Sequence, residues 1–399
     1  MPFLIALRDP LLRVAFLCIL LMGPAVASIG PFQSVIGIER LGMSNAAYAV
    51  VVTLGALFSV VASVVIGIVI DQTQRYRGIL LVCITIGIAA GVIMGAWPSL
   101  PSFLLVHLLL FPVAATTFTQ YFTLAAVAAD RNPEMDKDVG LSLVRAGFAG
   151  TFALSPPLWG IALARGVDLL TVYWVLALVN CAVFAVVYLL WPKDALSSED
   201  GGSGLTFREA LQEVTGLTVL LRLGLITAVT SANGLYNILL GLLVVTTLGG
   251  QEADIGWFAG GIALVELPVM LGSAFLLRRF SRVHVIFAGA LIYAASLCAI
   301  GFMPSVEAAM WLILPFGIGA GITLSVPVGY IQGLVEHRPG AGSSLISLSH
   351  FGGTLVASGL FALGAESFGY SGVAVMGAIL SLLAAVFLVM VERNRPPVR

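Results

Sequence analysis

An all-α membrane protein is predicted from three observations: an extreme apolar composition, a series of long apolar runs, and one polar interruption near the middle of the chain. Hydrophobic residues make up 59% of the 399 residues, only 10% are charged, and the mean hydropathy is +1.06. An ordinary soluble domain carries about 25% charged residues, so this composition is typical of a protein that crosses the bilayer many times.

Twelve apolar runs are bounded by charged residues, glycine, proline or asparagine, and each is long enough to cross a bilayer as a helix. Helices are expected because lipid offers no hydrogen-bond partner to an exposed backbone group. The predicted spans are 11–38, 46–70, 79–96, 102–129, 138–164, 168–191, 218–247, 254–277, 284–302, 306–334, 342–365 and 370–391.

The polar stretch Pro192–Gly216 divides these spans into two groups of six and reads as a flexible linker. The two groups form an internal repeat with a shift of about 203 residues. For example, Gly150-Thr151 in span five matches Gly353-Thr354 in span eleven. Two six-helix bundles related by an axis normal to the membrane are therefore predicted. The predicted parts are an N-terminal bundle at 1–191, a linker at 192–217 and a C-terminal bundle at 218–399.

The distribution of Lys and Arg predicts the orientation. With twelve spans, both termini lie on one face, and 15 of the 19 basic residues fall on that face. The opposite face has only Arg40 and Arg165, while Arg145 and Arg222 lie inside spans. Basic loops stay on the cytoplasmic side, so both termini are predicted to be cytoplasmic in a multi-pass protein of the bacterial inner membrane.

Glu266 lies near the middle of the apolar run 255–277. At about 1.5 Å per helical residue, it is more than ~10 Å from either end of the run. A carboxylate at that depth is costly in lipid, so it is expected to face a cavity or a partner and to bind a proton readily. Two interpretations stay open: a proton-binding or substrate-binding group on a transport pathway, or a protonated acid that hydrogen-bonds a neighbouring helix.

Arg145 lies about two turns into span five, where it needs an anionic partner or a polar ligand because it cannot lose its charge. Under the shift of about 203 residues it corresponds to Leu348, about half a turn from His350. We therefore expect Arg145 and His350 to flank the cytoplasmic half of one central cavity, with His350 as a candidate proton carrier. A neutral His350 bonded to a backbone carbonyl is the competing interpretation.

Uncharged polar side chains at mid-depth are further candidates for ligand binding, because amides and phenols form directional hydrogen bonds without a charge. Asn233 and Asn237 lie one turn apart on span seven, with Tyr236 alongside. Hydrogen bonding between helices explains each of them equally well. The predicted substrate-binding residues are Gln120, Arg145, Asn233, Tyr236, Asn237, Glu266, Gln332 and His350, of which Glu266 and His350 are the predicted proton-coupling residues.

The remaining marked residues are assigned to packing or to the membrane interfaces. Five tryptophans and His107 are predicted to lie near the interfaces, and the isolated cysteines are predicted to be small core residues because their spacing fits neither disulfides nor a metal. No cofactor, metal or nucleic-acid partner is expected. These residues are Trp97, Trp159, Trp191, Trp257, Trp311, Cys18, Cys83, Cys181 and Cys298.

The turn Gly67–Arg75 resembles the loop signature G-x-x-x-D-(R/K)-x-G-R of the major facilitators, with Gln72 and Gln74 in place of the usual basic residue and glycine. In that family the loop latches the outward-open state from the cytoplasmic side. The resemblance implies that Gly67 admits a neighbouring helix closely, that Asp71 caps a facing helix, and that Arg75 pairs with a carboxylate. The turn after span eight matches the same signature more weakly, and it adds Arg278 and Arg282 to the predicted latch.

Several short sequence segments, spread over nearly the whole chain, resemble those of the sugar efflux transporter family of the bacterial major facilitators. They are Val265–Leu271, Asn233-x-x-Tyr236, Phe118-Thr119-Gln120, Arg145 and Tyr330-Ile331-Gln332. The resemblance implies a major facilitator fold and proton-linked export of sugars or sugar-like compounds. Leu239, Leu348 and Gly333 stand where that family carries polar or acidic groups, which makes the expected cavity less polar.

The expected function is that of a monomeric secondary transporter, which exports sugars or sugar-like metabolites by alternating access in exchange for protons. Its expected partners are a small-molecule substrate, protons and the lipid bilayer. The depleted polar lining favours an alternative, the proton-coupled efflux of drugs or other amphipathic compounds. A membrane enzyme is not expected, because the sequence has no nucleophile elbow, phosphate loop or metal-ligand spacing.

Overall fold

The computed structural model describes residues 9–73, 75–131, 137–192, 216–334 and 339–393, and these residues form the predicted all-α fold. In the described ranges, eleven helical stretches are long and apolar enough to cross a membrane. The predicted linker at 192–217 lies almost wholly outside these ranges, so the division of the chain into parts stays a prediction.

The helices are numbered α1 to α12 in chain order. The first six are α1 Pro10–Arg40, α2 Asn45–Thr73, α3 Tyr76–Ala96, α4 at 100–131, α5 Lys137–Ala164 and α6 Thr171–Leu190. The next four are α7 Leu217–Thr247, α8 Glu252–Leu277, α9 Arg282–Ile300 and α10 Ile313–Gly333, and the continuous stretch Pro339–Arg393 contains α11 and α12.

Gly369 divides that last stretch into α11 at 339–368 and α12 at 370–393. At about 1.5 Å per residue, its 55 residues would be far longer than a bilayer core of about 30 Å. Gly369 has φ 65° and ψ 176°, a conformation that is open essentially to glycine alone, and the helix reverses direction there. The predicted number of twelve membrane crossings is therefore confirmed.

Helix starts follow from local sequence. Asp9 caps α1 because its carboxylate accepts hydrogen bonds from the backbone nitrogens of Leu11 and Leu12 at 2.9 and 2.8 Å, with Pro10 in the first turn. Gln251 and Asp254 form a reciprocal capping box at the start of α8. Such caps satisfy the backbone N–H groups that a helix leaves unpaired at its first turn.

The internal repeat is visible in the turns on the face opposite to the termini, here called the distal face; the face with the termini is the terminal face. Four glycines with positive φ lie there, and they form two pairs: Gly42 with Gly249, 207 positions apart, and Gly166 with Gly369, 203 positions apart. The π-helical turns Ile36–Arg40 and Leu243–Thr247 end α1 and α7 at matching places. The turns at the distal face therefore occur at equivalent positions in the two halves.

The tenth span differs from its prediction of 306–334. A short helix, Val306–Met310, lies apart from α10, which begins only at Ile313. Pro315 then occupies the first turn of α10, where its missing N–H has no intrahelical partner to lose. A continuous helix would have placed Pro315 in the interior, where it breaks a hydrogen bond.

The apolar core consists of three clusters. One joins both halves and lies toward the distal face, with Phe32 and Val35 of α1 packed near Leu239 of α7 and Phe258 of α8. A second cluster is made only of residues between Leu11 and Val187, and a third only of residues between Leu223 and Leu388. The halves therefore share a core at the distal face and keep separate cores toward the terminal face.

Replacing Gly369 by alanine is expected to lower stability by about 1–3 kcal/mol, because a Cβ is strained in this backbone conformation. Gly359 of α11 is the matched control, since a Cβ there meets nothing within 4 Å and the backbone is helical. Thermal unfolding of purified Gly369→Ala and Gly359→Ala in the same detergent compares them. Equal transition temperatures would remove the conformational argument for the turn.

Candidate functional site

Helices α5 and α8 touch at the distal face because both carry residues without bulky side chains at the crossing. A Cβ at Gly256 would lie 2.5 Å from the backbone nitrogen of Gly160, and one at Gly260 would overlap the ring of Pro157. The indole of Trp257 also packs over Gly160. Small residues let helix backbones approach this closely, so this crossing holds the two halves together.

Three polar contacts join the halves at the same face within the described ranges. Arg40 forms an ion pair with Glu252 at 2.7 Å. The hydroxyls of Thr53 and Ser358 lie 2.7 Å apart, and the hydroxyl of Tyr370 donates to Asn45 Oδ1 at 3.1 Å. Asn45 and Glu252 are the first residues of α2 and α8, which are equivalent helices in the repeat. The distal face is therefore closed by matching contacts from both halves.

Arg145 and His350 lie on the faces of α5 and α11 that meet the opposite half. Arg145 precedes Pro156 by 11 residues, about three turns, and Pro156 lies at the contact with α8. His350 likewise precedes Phe361 by 11 residues, and the ring of Phe361 packs edge-on against Tyr48 of α2 at 6.2 Å.

Both side chains are exposed. No described residue forms an ion pair with Arg145, and none hydrogen-bonds the imidazole of His350. The halves have separate cores toward the terminal face, and these two helix faces border the gap between them. That Arg145 and His350 flank a substrate cavity stays a prediction.

Glu266 occupies the middle of α8, 14 residues after Glu252 and 11 before Leu277. Val265 and Val269 pack against glycines of α10, while Gly256 and Gly260 face α5. At 100° per residue Glu266 points between these two faces. Its side chain is half-buried and makes no hydrogen bond or ion pair with a described residue. A carboxylate in such a place is chemically available to a proton or a ligand.

The neighbours of Glu266 include two phenols. The rings of Tyr236 on α7 and Tyr293 on α9 both pack against Phe316 of α10, with centroids 5.3 and 5.2 Å apart. The next residue, Gly317, packs against Val265 of α8. The hydroxyl of Tyr236 is buried and has no hydrogen-bond partner among the described residues. A buried hydroxyl without a partner is costly, so this place favours a bound polar group.

The two amides of α7 differ in their partners. Asn233 Nδ2 donates to Thr323 Oγ1 of α10 at 3.2 Å, so it contributes to packing between helices. Asn237 Nδ2 donates to the backbone oxygen of Asn233 at 3.1 Å, and its side chain is exposed. Both amides thus use their nitrogen as a donor, Asn233 toward another helix and Asn237 toward its own helix, and Asn237 is the more exposed of the two.

Gln332 and Gln120 lie away from this cluster. Gln332 is exposed near the terminal end of α10, nine residues after Thr323, which places it about half a turn round the helix and ~14 Å along it. Gln120 lies in the N-terminal half, where its amide nitrogen donates to Thr116 Oγ1 at 3.2 Å. The structure brings Tyr236, Glu266 and the α7 amides together, but not these two glutamines.

Among the described latch side chains, no contact with the opposite half is found in this conformation. A Cβ at Gly67 would meet nothing within 4 Å, and the role of Gly67 in a latch stays a prediction. Arg278 stacks over Phe275 at 5.2 Å, and Arg282 donates to the backbone oxygen of Gly329 at 3.1 Å, both within the C-terminal half. The physical reason is the separation of the halves toward the terminal face, where this turn lies.

The first-half part of the latch is only partly described. Arg75 occupies the N-cap position of α3, where its exposed side chain makes no capping hydrogen bond. The side chain of Asp71 lies outside the described residues, so its predicted capping role stays a prediction.

Three minor predictions are wrong. His107 is buried rather than interfacial, and its Nε2 lies 2.9 Å from the hydroxyl of Tyr173. Trp159 is buried too, because its indole nitrogen donates to Ser28 Oγ at 2.7 Å. Cys181 is exposed on α6 rather than in a core. Each error concerns which face of a helix is buried, and hydropathy alone does not distinguish a lipid-facing from a packed position.

A buried ion pair was given no role by sequence reasoning. Arg222 of α7 pairs with Glu392 of α12 at 2.7 Å, and the hydroxyl of Tyr330 of α10 donates to the same carboxylate at 3.0 Å. The three helices are thereby tied near the terminal face. Only the odd presence of an arginine inside a span could have signalled it.

Comparison with known proteins places this geometry in context. The family model of the Major Facilitator Superfamily matches residues 15–245 and 223–399. A Deinococcus radiodurans protein whose name assigns it to sugar efflux transport is 26% identical, covering 92% of this chain and 94% of the relative. Sugar efflux transporter A of Escherichia coli is 22% identical, covering 91% and 92%.

Solved structures share the fold at low identity. The nucleoside transporter NupG aligns with a TM-score of 0.75 at 14% identity, over 98% of this chain and 100% of that one. A human organic anion transporter aligns with a TM-score of 0.62 at 18% identity, over 95% and 99%. Both have a fold like that of this chain.

A disulfide between cysteines at 53 and 358 is expected to form readily on oxidation, because the two hydroxyls already lie 2.7 Å apart across the two halves. A protease site inserted between 197 and 204 allows the halves to be separated on a gel. After cleavage, Thr53→Cys/Ser358→Cys should remain one band until it is reduced.

The matched control pair is Thr227→Cys/Ser349→Cys, whose hydroxyls lie 3.0 Å apart within the C-terminal half. It should separate into two bands after cleavage, whether oxidised or not. Two bands from the first pair as well would contradict the closed distal face.

Proposed function

Because this chain belongs to the Major Facilitator Superfamily and is a multi-pass transporter of the cell membrane, we propose that it is a proton-coupled exporter of sugars or sugar-like small metabolites. It works by alternating access, in which two six-helix bundles expose one central site to each face in turn. The proposal includes a cytoplasmic terminal face, which rests on the distribution of Lys and Arg, and a monomeric state.

The single observation that carries the coupling role is the position of Glu266. The carboxylate lies at mid-span, half-buried, without an ion-pair partner among the described residues. A charge left unpaired at that depth is strongly disfavoured, so neutralisation by a proton is the available way to stabilise it. Binding and release of that proton change the charge of the cavity wall, which supplies a difference between the two states of the cycle.

The substrate class is supported by the names of the relatives and by the groups near Glu266. Asn237 offers an exposed amide, and Tyr236 offers a buried hydroxyl that has no partner among the described residues. Hydroxyl-rich solutes need such directional, uncharged partners. Arg145 adds a fixed positive charge on the other side of the gap, where it would attract the polar end of a substrate or an ionised Glu266.

The conformation fits the loading step of an exporter. With the distal face closed and the gap bordered by Arg145 and His350 toward the terminal face, a solute enters from the side of the termini. Protonation of Glu266 from the distal side would then alternate with substrate binding from the terminal side. Opening of the distal face requires the contacts of Arg40 with Glu252 and of Thr53 with Ser358 to break.

An alternative function is the proton-coupled efflux of amphipathic compounds, and one observation favours it. Leu348, which stands where the resembled family has an amide, is 49% exposed on α11, near His350. A leucine in place of that amide removes a hydrogen-bond partner for a sugar, which favours a less polar ligand. Competition binding with a panel of sugars against a panel of lipophilic cations separates the two proposals.

Glu266→Gln is expected to reduce proton-driven efflux at least tenfold in vesicles, because an amide cannot bind and release the coupling proton. Exchange of labelled substrate without a gradient should continue, since folding and binding remain. Glu307→Gln is the matched control, as Glu307 is an acid near the distal face and outside the candidate membrane spans. Full proton-driven efflux by Glu266→Gln would refute the coupling role.

The disulfide between positions 53 and 358 is expected to stop transport when oxidised and to permit it again after reduction, because the distal face then cannot open. Transport by Thr227→Cys/Ser349→Cys should not respond to oxidation, since its crosslink lies within one half. Substrate flux measured in vesicles before and after a reducing agent tests this. Undiminished flux through the oxidised first pair would argue against alternating access at this face.

A further inference from the structure

A groove of about 140 Å³ lies in the N-terminal half, in the wall formed by α2, α3 and α4, and it is separate from the cluster around Glu266. It lies toward the terminal face, where the chain is open. Its walls carry a run of hydroxyls and one amide on a small apolar frame. Its lining includes Ser63, Gly67, Tyr76, Thr119, Gln120, Thr123 and Trp191.

The hydroxyls of Thr119 and Thr123 on α4 both donate their hydrogens to backbone oxygens of the same helix. Thr119 donates to the backbone oxygen of Thr116 at 2.8 Å, and Thr123 donates to that of Thr119 at 3.1 Å. A hydroxyl has a single hydrogen to donate and two lone pairs to accept. Thr119 and Thr123, both exposed, therefore offer only acceptor oxygens to the groove.

The orientation of Gln120 follows from the same reasoning. Thr116 donates its hydrogen to the backbone oxygen of Val113 at 2.7 Å, so it can only accept from Gln120. The amide nitrogen of Gln120 must then face Thr116, at 3.2 Å, as is found. No described residue donates to the amide oxygen of Gln120, so the groove gains a third acceptor.

Charge excludes one class of occupant. None of the described lining residues is charged, and a cation placed there would lose its hydration without a compensating acid. Thr119, Thr123 and Gln120 offer three neutral acceptors. The lining also includes the hydroxyl of Ser63 and the indole N–H of Trp191. A neutral solute whose hydroxyls both donate and accept hydrogen bonds matches this set. The volume of about 140 Å³ is below the ~300 Å³ or more of a site for drug-sized ligands, so the occupant is compact.

We propose that this groove is a further substrate subsite, which binds a compact, neutral, hydroxyl-rich solute such as a polyol. The inference rests on the proposed function and deepens it by adding a recognition site in the N-terminal half to the groups near Glu266. Gly67 borders the groove with open space around its missing Cβ, so the predicted latch residue and the bound solute share one wall. Closure of the terminal face would enclose the solute.

Binding is measured on the purified full-length chain, without any proton gradient, by thermal stabilisation with glycerol, a hexitol, a hexose and a disaccharide. Thr119→Val/Thr123→Val keeps the shape of the wall and removes both acceptors, and it should weaken hexitol or hexose binding at least tenfold. Thr85→Val is the matched control, because Thr85 is an exposed threonine of α3 with the same bond to its own helix, outside the groove. It should bind like the parent protein.

One further variant tests the groove from its opposite wall. Gly67→Val fills the groove from α2 and should also abolish binding. Unchanged binding by Thr119→Val/Thr123→Val, or an equal loss in Thr85→Val, would overturn the subsite. So would a parent protein that binds none of the four compounds. The coupling role of Glu266 would stand or fall separately on the vesicle assay.

Discussion

The close crossing of α5 and α8 at the distal face is the contact on which the rest of the arrangement depends. Gly256 and Gly260 lie against Gly160 and the Pro156-Pro157 pair, where any Cβ would meet backbone or ring atoms. With the halves held there, and at Thr53 and Ser358 on the symmetry-related side, the terminal ends of the same helices are free to diverge. The gap bordered by Arg145 and His350 is a consequence of that one-sided contact.

Ionisable side chains within the spans fall into two classes, those with an ion-pair partner and those without one among the described residues. Arg222 is buried against Glu392 at 2.7 Å with a further hydrogen bond from Tyr330, so the charges offset each other and stabilise the C-terminal half. Glu266 and Arg145 have no such partner among the described residues. Paired charges support a structure, whereas charges left unpaired beside a gap are available to protons and solutes. This contrast is the physical basis for assigning Glu266 to coupling and Arg222 to architecture.

The repeat explains why comparable features occur in both halves but carry different chemistry. Arg145 and His350 occupy nearly equivalent depths on α5 and α11, each 11 residues before an inter-half contact. The groove around Gln120 has no charged side chain among its described lining residues, while the matching helices α8 and α9 of the C-terminal half carry Glu266 and Tyr293. A symmetric scaffold with asymmetric linings can bind a neutral solute on one side and a proton on the other.

Sequence alone determined the twelve crossings, their approximate ends, the repeat and the depth of Glu266, because lipid allows only helices and penalises every buried charge. It did not determine which face of each helix is buried, since apolar side chains suit both lipid and a packed core. That ambiguity explains the errors at His107, Trp159 and Cys181. Only the tertiary structure decided that Gln332 lies apart from Thr323 and Glu266, and that the distal face is the closed one. These features depend on helix rotation and on contacts between residues more than 200 positions apart, such as Arg40 with Glu252.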